Sequence, residues 1–293
     1  MSPNVDSESL IVALNFYLPS DAPTVTNGVQ SNWFVPTYNL AWDSTNAWTG
    51  GGDAVAPAAR KGVCSTYDVW DSMVEKLNDK TAFPNLDVIY LMGHSAGGSF
   101  VNHYATVAQF SSSLPIKWAG YNPAVLPYFE SHRPNSSSAC SASYQTWPYG
   151  LNSAPRYVTA TGISDAQSLF KKWLQLDFSH AVGTLDIRRL YDFGDDSCEV
   201  QAQGGHNRRD RNYAWWAYIN ILGGTGTDVS AFYGADTLMS NVTAWGNNGF
   251  NHRNCVIAGV GHVDEDMYAS PCGQYFLGQT IIPPPDTAPA TPA

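Results

Sequence analysis

The sequence predicts an α/β fold, a mostly parallel central sheet covered by helices. Three observations predict it. Short apolar runs of strand length alternate with segments of helical spacing along the 293-residue chain, between loop-rich stretches. The runs are nearly continuous in apolar character, as strands buried on both faces require. No internal repeat and no apolar run of membrane-spanning length interrupts the pattern.

The elements follow in order. Leu10-Ile11-Val12-Ala13-Leu14 reads as a first strand. An irregular stretch rich in Gly, Asn and Trp runs from Pro19 to Gly62. Val69, Trp70, Met73, Val74 and Leu77 then recur at helical spacing, which predicts a helix over Tyr67 to Leu77. Val88 to Met92 is the clearest buried strand, with a helix from Ala96 behind it. Ile116 to Tyr121 reads as the next strand. Residues 122–160 are rich in Ser, Pro and Tyr and form a loop-rich insertion expected to roof a site. A helix over about Ser164 to Leu174, a strand over Ile187 to Tyr191, a helix over Arg211 to Leu222 and a last strand over Cys255 to Val260 complete the series. This order is expected of one domain over residues 1–282. Residues 283–293, rich in Pro, Ala and Thr, read as a disordered tail.

Composition narrows the function. Apolar residues make up 44% and charged residues 14%, a folding rather than a disordered composition. The net charge of −10 argues against a nucleic-acid partner, which needs clustered Lys and Arg. The one basic cluster, Arg208-Arg209-Asp210-Arg211, is short and interrupted, and reads as a solvated or structural helix start. The five cysteines (64, 140, 198, 255 and 272) form no Cys-x-x-Cys pair, so no zinc site and no other metal is expected. Two disulfides and one leftover thiol suit a secreted, extracellular protein; five reduced thiols in a cytosolic enzyme are the alternative. Cys255 with Cys272 is the favoured pair, because it would staple the segment carrying His262. The sequons at Asn135 and Asn241 add weak support for secretion. Met1-Ser2-Pro3-Asn4 carries no signal-peptide pattern, so secretion implies a mature chain behind an added methionine.

The segment that carries chemistry is Gly93-His94-Ser95-Ala96-Gly97. Gly-x-Ser-x-Gly lies here directly after a buried strand and directly before a helix. A serine on so sharp a turn needs small neighbours two positions away, which assigns Gly93 and Gly97 their place. The helix N-terminus offers N–H groups and positive dipole to a developing oxyanion. In this context the motif resembles the nucleophile elbow of the α/β-hydrolase superfamily. That resemblance implies the α/β-hydrolase fold and acyl transfer by a triad in the chain order Ser, Asp or Glu, His.

The resemblance also places the partners. The base belongs on a loop after the last strand, and Gly261-His262 fits, so His262 is expected to serve. His206 and His252 are minor candidates. The acid belongs after the penultimate strand, here read as ending in Asp192-Phe193-Gly194-Asp195-Asp196-Ser197-Cys198. Gly194-Asp195-x-x-Cys198 is similar to the acid loop of cutinases, which favours Asp195, with Asp196 open as the alternative. The oxyanion donors implied are the N–H of Ala96 and that of Phe16 or Tyr17. Asn15-Phe16 departs from the His-Gly that usually ends that strand in the superfamily.

The expected reaction is hydrolysis of a small-molecule or polymeric carboxylic ester through an acyl-enzyme, without cofactor. Trp33, Trp42, Trp48, Tyr121, Tyr128, Trp147 and Tyr149 either line a cleft for apolar acyl groups or belong to the core. An esterase of the cutinase, lipase or feruloyl-esterase kind is preferred. A serine peptidase or lactonase on the same fold is the alternative. A non-catalytic binding protein on this scaffold would be marked by Ser95 and His262 lying more than about 6 Å apart with no path to close.

Overall fold

The computed structural model describes residues 9–21, 25–27, 29–30, 34–35, 37–135, 138–161, 165–188 and 193–278. Trp33 and the tail at 283–293 lie outside the described residues.

Four parallel strands form the main sheet. They are β1 (Ile89–His94), β2 (Ile116–Tyr121), β3 (Asp177–Gly183) and β4 (His252–Ile257), paired in that order. Helix α1 (Thr66–Leu77) precedes β1, and α2 (Ala96–Val107) connects β1 to β2. Helix α3 (Ala166–Trp173) precedes β3. Helix α4 (Arg208–Gly223) lies between β3 and β4, and α5 (Asp264–Ala269) and α6 (Pro271–Phe276) follow β4. Helix α1 starts at Ser65, whose hydroxyl accepts from the Tyr67 and Asp68 N–H groups while Asp68 accepts from the Ser65 N–H.

Side chains alternate across the strands, and each face has its own core. Leu91, Trp118, Phe178 and Val182 point into a large core with residues of α1, α2, α3 and α4. Ala119, Tyr121, Ala181, Cys255 and Ile257 point the other way, into a smaller core closed by Met267, Cys272 and Phe276. The sheet is therefore covered on both faces, as its composition predicts.

The aromatic residues settle mainly into this packing. Among those expected in a cleft or in the core, Trp42, Tyr121, Tyr128, Trp147 and Tyr149 are buried. Trp48 is half-buried and stacks on Phe16 at 5.3 Å.

Two expected strands are corrected. Leu10–Leu14 forms no strand, and Leu10 and Ile11 are 56% and 61% exposed. Its periodicity suits a strand, but β1 takes only β2 as a strand partner among the described residues. The strand expected over Ile187–Tyr191 is displaced. Ile187 and Arg188 are exposed and irregular, and 189–191 lie outside the described residues. The third strand is Asp177–Gly183, ten residues earlier in the chain at its start. Ser179 and His180 interrupt its apolar run, yet both are buried. Side chains supply the partner a buried imidazole needs: His180 Nε2 and His252 Nδ1 are 3.0 Å apart.

Two disulfides join Cys140 to Cys198 and the favoured pair Cys255 to Cys272, leaving Cys64 as the free cysteine among the described residues. No helix of the described residues is long and apolar enough to cross a membrane.

Candidate active site

The C-terminal ends of the four strands carry the site, where open α/β sheets place their ligands. Ser95 follows β1 with φ 59° and ψ −118°. A non-glycine residue in this region is strained and persists only when its surroundings hold it. Its N–H donates to the Tyr121 carbonyl at 2.9 Å, and its own carbonyl accepts from the Ser99 N–H at 3.0 Å. Although Ser95 is the N-cap of α2, its hydroxyl makes no capping bond, so Oγ is turned away from the helix.

The glycines around it have unequal reasons. A Cβ on Gly93 would lie 2.2 Å from the Gly97 carbonyl oxygen, and one on Gly98 would lie 2.7 Å from the Tyr121 carbonyl oxygen. A Cβ on Gly97 meets nothing within 4 Å. The steric demand falls on Gly93 and Gly98, which corrects the expectation for Gly97.

His262 sits five residues past the end of β4. Its loop interlocks with the loop after β3: the Leu185 N–H donates to the Val260 carbonyl at 2.8 Å, and the Gly259 N–H to Thr184 Oγ1 at 2.9 Å. Asn122, fully buried just after β2, ties both loops together. Its Nδ2 donates to the Gly261 carbonyl at 3.1 Å, and its Oδ1 accepts from the Gly183 N–H at 2.9 Å. Three strand ends are thus fixed against one side chain.

These loops bring Asp186 to His262, with Oδ2 3.1 Å from Nδ1. Asp186 is 1% exposed. Neither Asp195 nor Asp196 takes that place. Asp195 is fully buried and accepts from Arg208 Nε at 3.3 Å and Arg211 Nη2 at 2.7 Å. Asp196 lies 3.6 Å from His206. The strand that precedes Asp186 is Asp177–Gly183, not the run at Ile187–Tyr191. With β3 ending at Gly183, Asp186 is the first carboxylate after it.

Of its two readings the arginine cluster takes the structural one: it starts a helix, with Asn207 Oδ1 capping the Asp210 N–H at 2.9 Å, and Arg208 and Arg211 are buried. Arg208 Nη1 donates to Ser95 Oγ at 2.6 Å and lies 2.8 Å from His262 Nε2. A guanidinium has no acceptor, so Nε2 must present its lone pair to it. The ring proton then sits on Nδ1 and points at Asp186, the tautomer a general base requires. Ser95 and His262 are separated by no more than two hydrogen-bond lengths, inside the limit that would mark a non-catalytic scaffold.

His94 lies beside His262 with ring centroids 4.6 Å apart and the rings tilted by 39°. Burial, and then the neighbouring His262, push its pKa down to about 4. His103 is engaged by the Ser99 and Pro148 carbonyls, and His252 by the Trp173 carbonyl. His103 and His252 are buried in the core.

Of the oxyanion candidates, Ala96 opens α2 beside Ser95. The Phe16 ring packs on Trp42, Trp48 and Phe100, which lays this segment along α2. The Tyr17 ring stacks on Phe34, and its carbonyl accepts from the Trp42 N–H at 2.9 Å. The loop after β2 is pinned at the same end of the sheet, with Ser99 Oγ accepting from the Ala124 and Val125 N–H groups at 3.0 Å.

Comparison with solved structures agrees with this architecture. LpqC, a poly(3-hydroxybutyrate) depolymerase from Bordetella parapertussis, superposes with a TM-score of 0.50 at 17% identity, over 82% of this chain and 67% of that one. The chain has an α/β-hydrolase-like fold. Poly(aspartic acid) hydrolase-1 from Sphingomonas sp. KT-1 aligns over 80% of this chain and 70% of its own, with a TM-score of 0.49 and 15% identity. No known family profile and no curated relative matches the sequence.

Proposed function

We propose that this protein is a secreted serine hydrolase that cleaves carboxylic esters, with Ser95 as nucleophile, His262 as base and Asp186 as the acid that orients it. The observation that carries this reading is Ser95 at positive φ, with His262 beside it and its Nδ1 3.1 Å from the buried Asp186 carboxylate. This is the constellation that acyl transfer needs.

In the proposed reaction, Nε2 takes the Ser95 proton as Oγ attacks the ester carbonyl. The imidazolium is stabilised by Asp186. The oxyanion faces the Ala96 N–H at the start of α2, with the Phe16 or Tyr17 N–H as the second donor. Nε2 then returns the proton to the departing alcohol, and water hydrolyses the acyl-enzyme by the same route. The fold likeness to a polymer depolymerase fits a polymeric ester as one candidate substrate, and the two disulfides fit an oxidising compartment.

Turnover of short- and long-chain p-nitrophenyl esters by wild type and Ser95→Ala tests the reading. Wild-type turnover lost by at least about a thousandfold in Ser95→Ala is the expected result. Equal rates in the two proteins would overturn it.

A further inference from the structure

Ser95, Asp186 and His262 come from three different strand ends, and one residue bonds to all three segments. Asn122 follows β2, which lies between β1, leading to Ser95, and β3, leading to Asp186. It is fully buried and has a φ of 43°. Its backbone N–H donates to the Ala181 carbonyl of β3 at 2.9 Å, and the Tyr121 carbonyl just before it accepts from the Ser95 N–H. Its side chain reaches the other two segments, with Oδ1 accepting from the Gly183 N–H and Nδ2 donating to the Gly261 carbonyl. Gly261 immediately precedes His262, and the Gly183 carbonyl accepts from the Asp186 N–H at 3.1 Å.

The acid and base loops also bond directly to each other. The Thr184 N–H donates to the Ile257 carbonyl at 3.0 Å and the Leu185 N–H to the Val260 carbonyl at 2.8 Å. Those bonds set Asp186 against His262. The Asn122 side chain adds the link from that pair to the strand whose last carbonyl holds the Ser95 N–H. Arg208 also bridges Ser95 and His262, but on Oγ and Nε2 themselves, the atoms between which the proton must pass. The contacts of Asn122 are all to backbone, so they persist while those atoms react.

The residue type fits this place. The loops meet so closely that a Cβ on Gly183 would lie 2.3 Å from the Val260 carbonyl oxygen. A bridge there needs a short side chain with one donor and one acceptor, on a backbone at positive φ. Asparagine tolerates that region and carries both groups on one planar amide. Ionised aspartate lacks the donor, and glycine, which meets the φ, lacks both.

Resting on the hydrolase reading above, we propose that Asn122 is a positioning residue, which holds the His262–Asp186 pair in register with Ser95 so that Nε2 meets the Oγ proton. No bond to Asn122 forms or breaks in the reaction. A base displaced by about 1 Å costs up to about a hundredfold in rate. Because the alignment is used in the transition state, the loss belongs in kcat and not in KM.

The test measures p-nitrophenyl acetate hydrolysis and fluorophosphonate labelling in wild type, Asn122→Gly and Asn122→Asp, with thermal unfolding to establish that each is folded. Asn122→Gly keeps the backbone conformation and removes the bridge. Asn122→Asp keeps the shape and the acceptor for Gly183 but loses the donor to Gly261, and carries the test if the glycine variant does not fold. Both are expected to lose roughly 10- to 100-fold in kcat, with KM unchanged and labelling slowed in proportion. In the His262→Ala background no base remains to be placed, so Asn122→Gly should cost less than about twofold more.

Folded variants with wild-type kcat, or a loss that appears in KM instead, would overturn the role of Asn122 and leave the hydrolase reading standing. An equal loss in the His262→Ala background, or failure of both variants to fold, would assign Asn122 to the fold alone and overturn it as well. Folded wild type that neither hydrolyses nor labels would overturn both readings.

Discussion

At the scale of single residues, three aspartates divide the work by their partners. Asp186 faces the imidazole, Asp195 faces two arginines, and Asp196 lies beside His206. Asp186→Asn should leave the fold intact and lower kcat by about 10³- to 10⁴-fold, because the amide no longer favours the Nδ1–H tautomer. Asp195→Asn breaks a buried ion pair to two arginines, at a cost of roughly 3–5 kcal/mol. Steady-state kinetics and thermal unfolding on the two variants separate the roles, and the reverse pattern would restore Asp195 as the acid. Ser95 stands out in the sequence because it follows the apolar run Val88–Met92, and His262 because a Gly-His pair follows Cys255–Val260, only the first half of which belongs to the last strand. The sequence hid Asp186 because β3 carries Ser179 and His180 in its middle, and a buried histidine pair leaves no trace in apolar periodicity.

At the scale of elements, the strand before Ser95 and the helix start at Ala96 were legible, since apolar pattern and turn chemistry agree there; the strand read over Val88–Met92 runs over Ile89–His94. Leu10–Leu14 shows the opposite. Its own pattern is that of a strand, but pairing is a property of its neighbours, which a single segment does not encode. The elbow yields a sharp pair of expectations. Gly93→Ala should fail to fold or lose several kcal/mol, since its Cβ would lie 2.2 Å from backbone. Gly97→Ala, with open space at its Cβ inside a helix, should fold with equal or higher stability, by about 1 kcal/mol at most. Chemical denaturation of both measures this, and equal damage would mean that the turn is built differently.

At the scale of the whole molecule, stability should depend on pH through its buried histidines. Burial lowers the pKa of His103 and His180, with His252 adding to the effect on His180, and burial pushes His252 down to about 3. Such groups bind protons in the unfolded chain before the folded one. Their contribution is complete above the unfolded pKa of about 6.5 and is lost as pH falls from there toward 3. Thermal unfolding followed from pH 7 to pH 4 should show Tm falling, with a shallower slope in His252→Gln; a Tm that rises toward acid would contradict the sign. The Cys255–Cys272 bridge spans 17 residues and encloses His262, so replacing both cysteines by alanine should cost roughly 3 kcal/mol by loop entropy. Denaturant midpoints measure that loss, and an unchanged midpoint would show that the base loop does not depend on the bridge.

The central claim is that Ser95 is an activated nucleophile, and peptide mapping after treatment with a fluorophosphonate tests it most directly. A single adduct is expected on the peptide containing Ser95, absent in Ser95→Ala and slowed in Asp186→Asn. Folded wild type that remains unlabelled, or carries its adduct on another residue, would contradict it.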